Sequence, residues 1–566
     1  MASGYPTSIL GESEKMQKLI NLMMCRVQKQ NSYKPFNLHD IFFSVISWLL
    51  LSLPFALYLF YIFQYSVDVP LSDDYDAVLG FMNSFLQTEN FGKKLGLLFA
   101  QHNEHRIVFD RIVFLVQYFI FGKTNFKHLI LFGNAGWILT VLILVFQQKK
   151  ELNLPLIYLL PVPYILLAFV HWTNMFFAMA SIQNYWFILF SVLFLLCLTK
   201  NRLVGACLLF PVALFTSGGG VVLYPLGNIY WLLQKRWRHL IIFFISSTTL
   251  MLTYFYGYHT PSQHPSIIGS FNNLEQTIIY FFALWGGMIP SRELALLTGF
   301  TSFALSIAFA IKRTESDFIC LMLGLVSLIA VTASLARSGF GVEQAIESKY
   351  TMYSLLAWAC TYLLIIVSVK NSNILAKRVL LVTLTLSVLF SSGFLLKYEA
   401  SSFFVQLQIE RTNSLVAFIK HKDRVAQILL TSEELGIYEY KDVPLYSPDE
   451  LYSDEFHPNS DFSGSIDVYN GSYIAGWALI PAMNAANSNI FILLTDGART
   501  FKLKTLRVFR PDVSRAHNNM FQHEVSGYQS FIDSYEIPPG SYRLGILVEN
   551  GDKRAVTWSD KVFVVP

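Results

Sequence analysis

Charged residues are scarce in this chain, which excludes an ordinary soluble enzyme. Only 14% of its 566 residues are Asp, Glu, Lys or Arg, whereas soluble domains contain about 25%. Hydrophobic residues make up 54%, and the mean hydropathy is +0.44. Apolar runs of roughly 17–25 residues recur along most of the chain, and runs of that length cross a bilayer as helices. The composition therefore predicts a helical, multi-pass membrane protein.

Cysteine is equally scarce, and its spacing excludes a disulfide framework or a zinc site. The chain has five cysteines, of which four lie in or beside apolar runs and none follows Cys360. The net charge is only +4, and the basic residues stand in short loops between apolar runs. That arrangement orients a membrane protein, and nothing in it indicates a nucleic-acid partner.

The apolar runs predict a transmembrane domain over 40–399, preceded by a cytoplasmic segment, 1–39. The first apolar run begins only at Ile41, so we predict no cleavable signal peptide. About eleven spans are predicted, at about 41–64, 128–147, 155–171, 184–199, 203–215, 220–233, 240–257, 294–311, 317–335, 351–369 and 378–397.

The positions of the basic residues indicate whether the apolar run 107–121 crosses the membrane. This run is short and contains Asp110 and Arg111. If it does not cross, each basic cluster between spans falls on the cytoplasmic side, as the positive-inside rule requires. If it crosses, all of these clusters move outside. We therefore predict an interfacial or partly inserted helix there. The clusters are Lys149 with Lys150, Lys200 with Arg202, residues 235–238, Lys312 with Arg313, and residues 370–378.

The outer face then collects most polar segments, above all a loop at 65–127 with an acidic motif. The sequence Leu-Ser-Asp-Asp-Tyr-Asp at 71–76 places Asp73, Asp74 and Asp76 close together. Carboxylates this near to hydrocarbon are costly and are typical of functional sites. They could supply a general base for a sugar hydroxyl, bind a divalent cation, or belong to a solvated loop.

A second polar cluster follows in the same loop. Glu104 between His102 and His105 suggests a metal site, but the spacing matches no zinc signature and no cysteine joins it. We predict that this cluster contacts substrate or packs against the membrane surface. Its members are Gln101, His102, Glu104, His105 and Arg106.

A later outward loop, 336–350, carries Arg337, Lys349 and Tyr350. Cations at a membrane surface suit a lipid phosphate, which Arg binds bidentately. Ordinary headgroup anchoring by Arg, Lys and Tyr explains them equally well.

Two other outward segments add candidate substrate contacts, Trp172 and Gln183. Trp172 could stack on a sugar ring or belong to an interfacial aromatic belt. The run Ser-Gly-Gly-Gly at 217–220 could let the backbone approach a ligand closely, or could turn the chain between two spans.

The character of the chain changes near position 400. We predict a periplasmic helical linker over 400–460 and a periplasmic all-β domain, a sandwich, over 461–566. Short apolar strands alternate there with turn signals such as Asn-Gly at 470–471 and 550–551. The predicted strands are 465–468, 473–478, 489–495, 501–508, 542–548 and 561–565.

With these motifs in view, the chain resembles the GT-C class of integral-membrane glycosyltransferases. The shared features are a first span, an outward loop with paired acids, many further spans and a large outer face. The loop 101–106, the stretch 337–350 and the β-rich C-terminus look most like bacterial O-antigen-modifying (serotype-converting) glucosyltransferases. Gly-Trp at 476–477 and Arg-Pro-Asp-Val at 510–513 resemble a module appended to several bacterial cell-surface glycosyltransferases.

The resemblance implies an inner-membrane hexosyltransferase. Its donor would be a sugar, with glucose expected, on undecaprenyl phosphate, and its acceptor a lipopolysaccharide O-antigen or another lipid-linked glycan. The family acid corresponds to Asp73 or Asp74, with Asp76 a further candidate, and no cofactor is implied, although a divalent cation stays open. The family often has Arg where this chain has Lys349. The alternatives are a transporter or flippase of lipid-linked sugar, and a polymerase or ligase of the same glycans.

Overall fold

The computed structural model describes residues 38–152, 154–261, 265, 267–311, 316–400, 424–439, 449–452, 462–471, 473–517, 523–532 and 537–565. The chain divides after Leu53 into two units. The described part of the first unit, 38–53, is the beginning of helix α1 (Leu38–Tyr65), which contains Pro54. All the later elements belong to the second unit.

Long apolar helices recur through the described residues between 38 and 400. A helix rises about 1.5 Å per residue, so about 20 residues span the hydrocarbon of a bilayer. Within the described residues, nine helical stretches are long and apolar enough to cross a membrane, which makes the chain a helical membrane protein. They are Ser44–Tyr65, Phe126–Glu151, Leu156–Phe176, Ala178–Thr199, Trp237–Phe255, Arg292–Ile311, Asp317–Phe340, Ser348–Val369 and Asn373–Lys397.

The helix ends follow the local sequence. Asn90 and Ser316 cap helices by accepting the N–H groups of Lys93 and Ile319, and Gly122 ends a helix in the left-handed conformation. The helices are α2 Phe81–Gln87, α3 Phe91–Phe99, α4 Val108–Phe121, α5 Phe126–Leu152, α6 Pro161–Leu166, α7 Trp172–Phe176, α8 Ala178–Ser181, α9 Phe187–Thr199, α10 Leu203–Leu214, α11 Leu223–Leu233, α12 Trp237–Phe255, α13 Ile267–Asn272, α14 Leu274–Gly286, α15 Arg292–Ile311, α16 Asp317–Arg337, α17 Ser348–Val369, α18 Asn373–Ala400, α19 Arg424–Glu434 and α20 Pro511–Ala516.

Two of the eleven predicted spans, 203–215 and 220–233, form short helices. Helices α10 and α11 have 12 and 11 residues, about 18 Å at 1.5 Å per residue, against about 30 Å of hydrocarbon. Between them the chain reverses at the turn Gly218–Val222. A Cβ on Gly220 would lie 2.5 Å from the Cα of Leu214, so this reversal needs a residue without a side chain.

The predicted loop 65–127 contains several short helical stretches. A π-helical turn, Tyr75–Gly80, leads into α2, and α3 and α4 follow. The 14 residues of α4 fall short of a span, and this helix is not among the nine candidate spans of the described residues. That agrees with a run, 107–121, that does not cross.

Helix α17 lies inside the bundle, whereas α18 lies at its outside. In the most apolar 18-residue stretch of each helix, 78% of the α17 stretch is buried, but only 11% of the α18 stretch. Because α18 is apolar and exposed, its surface suits lipid rather than water.

The segment 424–439, within the predicted linker, packs on the loop that carries the aspartates. Ser432, Leu429, Ile437 and Tyr438 are all buried. Helix α19 contacts both the turn Tyr75–Gly80 and α2. The rest of the predicted linker is described only at 449–452.

The C-terminal region consists of two antiparallel sheets. One has the strand order β1-β5-β4-β8-β9 and the other β2-β3-β7-β6. Buried residues of both sheets, such as Ile492 and Tyr528, share one hydrophobic core, which is the arrangement of a sandwich. The strands are β1 Asp449–Tyr452, β2 Ser463–Tyr469, β3 Tyr473–Leu479, β4 Asn489–Thr495, β5 Arg499–Lys504, β6 Leu506–Val508, β7 Gly527–Phe531, β8 Gly540–Asn550 and β9 Lys553–Val565.

The six predicted strands are present, and the described residues contain two further strands that the sequence did not predict. The predicted strand 501–508 is divided into β5 and β6, which belong to different sheets. The missed strands are β1, which lies before the predicted domain boundary at 461, and β7. Turns at Gly471, Gly497 and Gly551 have positive φ, as their Asn-Gly and Asp-Gly sequences predict.

Candidate functional site

The candidate site lies where segments far apart in the sequence meet at the ends of several helices. His105 Nδ1 accepts a hydrogen bond from the N–H of Gly218, at 3.0 Å. The hydroxyl of Tyr254, near the end of α12, donates to the carbonyl oxygen of Glu104, at 3.4 Å. The Glu104 carboxylate forms an ion pair with Arg337, the last residue of α16. Three of the segments predicted to lie on the outer face, 101–106, 217–220 and 336–350, thus meet at one place.

A tight turn presents Glu104 and His105 to the rest of the site. The backbones of His102 and His105 exchange two hydrogen bonds, of 2.8 and 2.9 Å. Asn103 has φ 47°, a conformation that Asn tolerates better than most residues. The turn places Glu104 beside Arg337 and His105 beside Gly218.

The contacts of His105 define its charge and its tautomer. Burial lowers the pKa of His105 to about 4, although the charge of Asp73 acts in the opposite direction. The ring is therefore neutral at pH 7. Because Nδ1 accepts from Gly218, the proton lies on Nε2, which is 3.4 Å from the Glu104 carboxylate. His105 thus links the backbone of the glycine turn to the Glu104–Arg337 pair.

His102 lies in a similar environment. Burial lowers the pKa of His102, and the charges of Asp73 and Asp76 oppose that shift. Its Nε2 atom is buried without a hydrogen-bond partner in the described part of the chain. The charge of Asp73 therefore acts on both imidazoles.

Arg337 and Lys349 differ in their surroundings. The Arg337 side chain is 19% exposed, pairs with Glu104, and lies 5.8 Å from the centre of the Tyr350 ring. Lys349 is 40% exposed, pairs with Glu347 at 2.9 Å, and lies 5.2 Å from the same ring. A partly desolvated cation interacts more strongly with an anion than an exposed one does. Arg337 is therefore the stronger candidate for an anionic ligand.

The three aspartates have three different surroundings. Asp74 is fully buried, and its carboxylate accepts the N–H groups of Leu71 and Met179, at 3.0 and 2.8 Å. Asp76 is half-buried and pairs with Arg424 at 2.7 Å. Asp73 is exposed. An acceptor hydroxyl could thus reach Asp73, whereas Asp74 holds two backbone segments together.

Gln101 and Arg106 contact the backbone in the structure. The Gln101 amide donates to the carbonyl of His259 at 2.5 Å and accepts its N–H at 3.0 Å. The Arg106 guanidinium donates to the carbonyls of Tyr254, Phe99 and Tyr256, at 2.6–2.7 Å. These two side chains hold the loop against the end of α12, and their predicted contact with substrate stays a prediction.

Trp172 and Gln183 lie in a region that is tied to the start of α17. The N–H of Thr173 donates to Ser348 Oγ at 3.0 Å, and the Asn174 amide donates to the carbonyl of Lys349 at 2.8 Å. Trp172 is half-buried, and Gln183 is buried with its Nε2 unpartnered among the described residues. The structure therefore brings their segments beside the 348–350 end of the loop, and their role as ligands stays a prediction.

Gly218 is the site residue whose function the sequence did not identify. A Cβ there would lie 2.8 Å from His105 Nδ1 and 3.1 Å from the carbonyl oxygen of Glu104, too close for any side chain. The run Ser-Gly-Gly-Gly was the available signal, and it predicted either close approach to a ligand or a turn between two spans. The turn is present at Gly218–Val222. The structure also shows a close approach of Gly218 to His105, which the sequence did not predict.

The described side chains provide no ligand set for a metal ion. In the part of the chain that the structure describes, no three His, Cys, Asp or Glu side chains gather as a metal site. Asp74 and Asp76 are directed to Met179 and Arg424, respectively. The cation alternative for the acidic motif therefore gains no support from the donor set.

Comparison of the chain with protein-family models, with curated proteins and with solved structures finds no match. Its classification rests on the fold and on the site. The fold is that of a helical membrane protein with a C-terminal region of two antiparallel sheets. The site is an ion-paired cluster at the ends of apolar helices, and the charge of the exposed Asp73 carboxylate acts on its His105.

Proposed function

We propose that this chain is an integral-membrane glycosyltransferase. It transfers a sugar, with glucose expected, from undecaprenyl phosphate to lipopolysaccharide O-antigen or another lipid-linked surface glycan, on the periplasmic face of a bacterial inner membrane. The observation that carries the proposal is an exposed carboxylate, Asp73, whose charge acts on His105 in the His105–Glu104–Arg337 cluster, where apolar helices end. A base and a cation at a membrane surface are what transfer from a lipid phosphate requires.

The proposed reaction is a single displacement that inverts the configuration at the anomeric carbon of the sugar. Asp73 accepts the proton of the acceptor hydroxyl while that oxygen forms a bond to the anomeric carbon. The bond from this carbon to the phosphate oxygen breaks, and its electron pair leaves with the polyprenyl phosphate. A carboxylate is a suitable base because the hydroxyl becomes acidic only as the new bond forms.

Arg337 stabilises the negative charge on the leaving phosphate. Its guanidinium has five N–H donors in a planar fork, which can bind two phosphate oxygens at once. The Glu104 pair is made at Nη2, and the neighbouring Tyr350 ring limits hydration of the cation. Lys349, a point charge that is more exposed, supplements this contact.

The exposed apolar helices suit the lipid part of the donor. The prenyl chain would lie along apolar surface in the membrane while its phosphate meets Arg337. This division places sugar chemistry at the interface and hydrocarbon within the bilayer.

Mass spectrometry and linkage analysis of the surface glycan test the proposal. We expect cells that lack the gene to lose one added hexose, and the intact gene to restore it. An Asp73→Asn gene should fail to restore it although the protein still inserts. A glycan that is unchanged on deletion, or restored by Asp73→Asn, would overturn the proposal, and the second result would favour a transporter.

A further inference from the structure

The segment 424–439 is held against the loop that carries the aspartates by contacts between residues over 300 positions apart. The Asn83 amide forms two of them: its Nδ2 donates to the carbonyl of Ile428 at 2.8 Å, and its Oδ1 accepts the hydroxyl of Ser432 at 2.8 Å. Asn83 is 6% exposed and Ser432 is fully buried. Water cannot replace either partner easily at such a position.

A second group of contacts lies beyond α19. The N–H of Thr124 donates to the carbonyl of Ile437 at 2.7 Å, and the Tyr438 hydroxyl donates to the carbonyl of Asp68 at 2.8 Å. The ring of Phe126 packs edge-on against Tyr438, with centroids 5.2 Å apart. Asp68 and Thr124 stand near the two ends of the predicted loop 65–127, so this short stretch ties both ends together.

A third contact reaches the acidic motif itself. Arg424 pairs with Asp76 at 2.7 Å, and the side chain of Ile428 lies beside Gly80. The Arg424 side chain is 79% exposed, so this ion pair is weak. The buried Asn83–Ser432 contact is the stronger connection.

From these contacts we infer that the segment 424–439 positions the acidic motif for catalysis. It is a clamp, supplied by the part of the chain after the membrane helices, that fixes the segment 71–87 and therefore the Asp73 carboxylate. Asn83 and Ser432 are its main positioning residues. The catalytic part of this inference rests on the proposed function, whereas the clamp itself does not.

Hydrogen–deuterium exchange of the full-length protein tests the clamp without any assay of activity. Ser432→Ala removes the donor to Asn83 Oδ1 and leaves a buried acceptor unpaired. We expect exchange in peptides from 71–87 to rise roughly ten- to a hundredfold, with no change in α15. Ser84→Ala is the matched control, because the Ser84 hydroxyl is exposed and donates to the carbonyl of Gly80, four residues earlier in the same segment, and not to the segment 424–439. Equal exchange in Ser432→Ala and Ser84→Ala would overturn the clamp.

A second variant and a kinetic readout complete the test. Tyr438→Phe removes only a hydroxyl, and we expect faster exchange around residue 68 even if Ser432→Ala fails to fold. In sugar transfer, Ser432→Ala should lower kcat and leave the KM for donor lipid unchanged, since the clamp orients a base and binds no donor. Unchanged kcat in Ser432→Ala, with Asp73→Asn inactive, would overturn the positioning role. Full activity of Asp73→Asn would instead refute the proposed function and leave the exchange result standing.

Discussion

Replacing Gly218 by Ala should separate His105 from the glycine turn. The added Cβ would lie 2.8 Å from His105 Nδ1, 3.1 Å from the Glu104 carbonyl oxygen and 3.4 Å from the Tyr254 hydroxyl. Two of the three neighbours are on the loop 101–106, so relief requires movement of that loop or of the ring. Overpacking of this kind costs about 1–3 kcal/mol, and loss of the hydrogen bond adds about 0.5–1.5 kcal/mol.

We therefore expect Gly218→Ala to lose roughly 2–4 kcal/mol of stability and to transfer sugar more slowly. Thermal unfolding of the full-length protein in nanodiscs measures the first effect. Gly96→Ala is the control, because a Cβ there meets nothing within 4 Å and Ala favours a helix. In a His105→Ala background, Gly218→Ala should cost much less, since the main clash is gone. Equal unfolding temperatures for Gly218→Ala and Gly96→Ala would refute this description of the turn.

Four further outcomes are expected. Arg337→Ala should lower turnover roughly tenfold to a hundredfold and Lys349→Ala less, measured with purified donor lipid; equal turnover of both variants and wild type would exclude this loop as the phosphate site. Asp74→Asn should lower the free energy of unfolding by roughly 1–3 kcal/mol, because an amide NH₂ would face a backbone N–H; a lower unfolding temperature would show this. The low pKa of His105, about 4, should reduce stability by roughly 3 kcal/mol between pH 6.5 and pH 4, since the unfolded chain takes up a proton there that this half-buried ring does not; His105→Gln should make the decline smaller by that amount, while the part due to His102, whose pKa is also lowered, should remain. EDTA should leave transfer unchanged if Asp73 is a base.

The fold was largely predictable because its signals are local. Apolar runs separated by basic loops predicted the long helices. Alternation of apolar and polar residues, with Asn-Gly and Asp-Gly turns between the segments, predicted most of the strands. Helices α10 and α11 looked like two spans because the sequence is apolar throughout, and only the reversal at Gly220 limits their length. Strand β1 has no such pattern, and its pairing with β5 depends on tertiary contacts.

The site was predictable as a set of residues but not as a geometry. The distribution of basic residues among the loops predicted that Glu104 and Arg337 lie on the same side of the membrane, and in the structure they form an ion pair. The sequence treated the three aspartates alike, because neighbouring residues give no information about burial. Asp74 proves to be buried against Met179, a partner more than 100 positions away. The docking of 424–439 depends on Asn83 and Ser432, which are common polar residues with no signal of their own.

The most direct test of the account is the rate of sugar transfer by purified Asp73→Asn protein, supplied with polyprenyl-phosphate-linked glucose and acceptor lipid. The substitution keeps the size of the side chain and removes the base. We predict a loss of about 10²–10⁴-fold in kcat, with donor binding and the unfolding temperature unchanged because Asp73 is exposed. Wild-type turnover by Asp73→Asn would contradict the assignment of Asp73 as the base and, with it, the proposed mechanism.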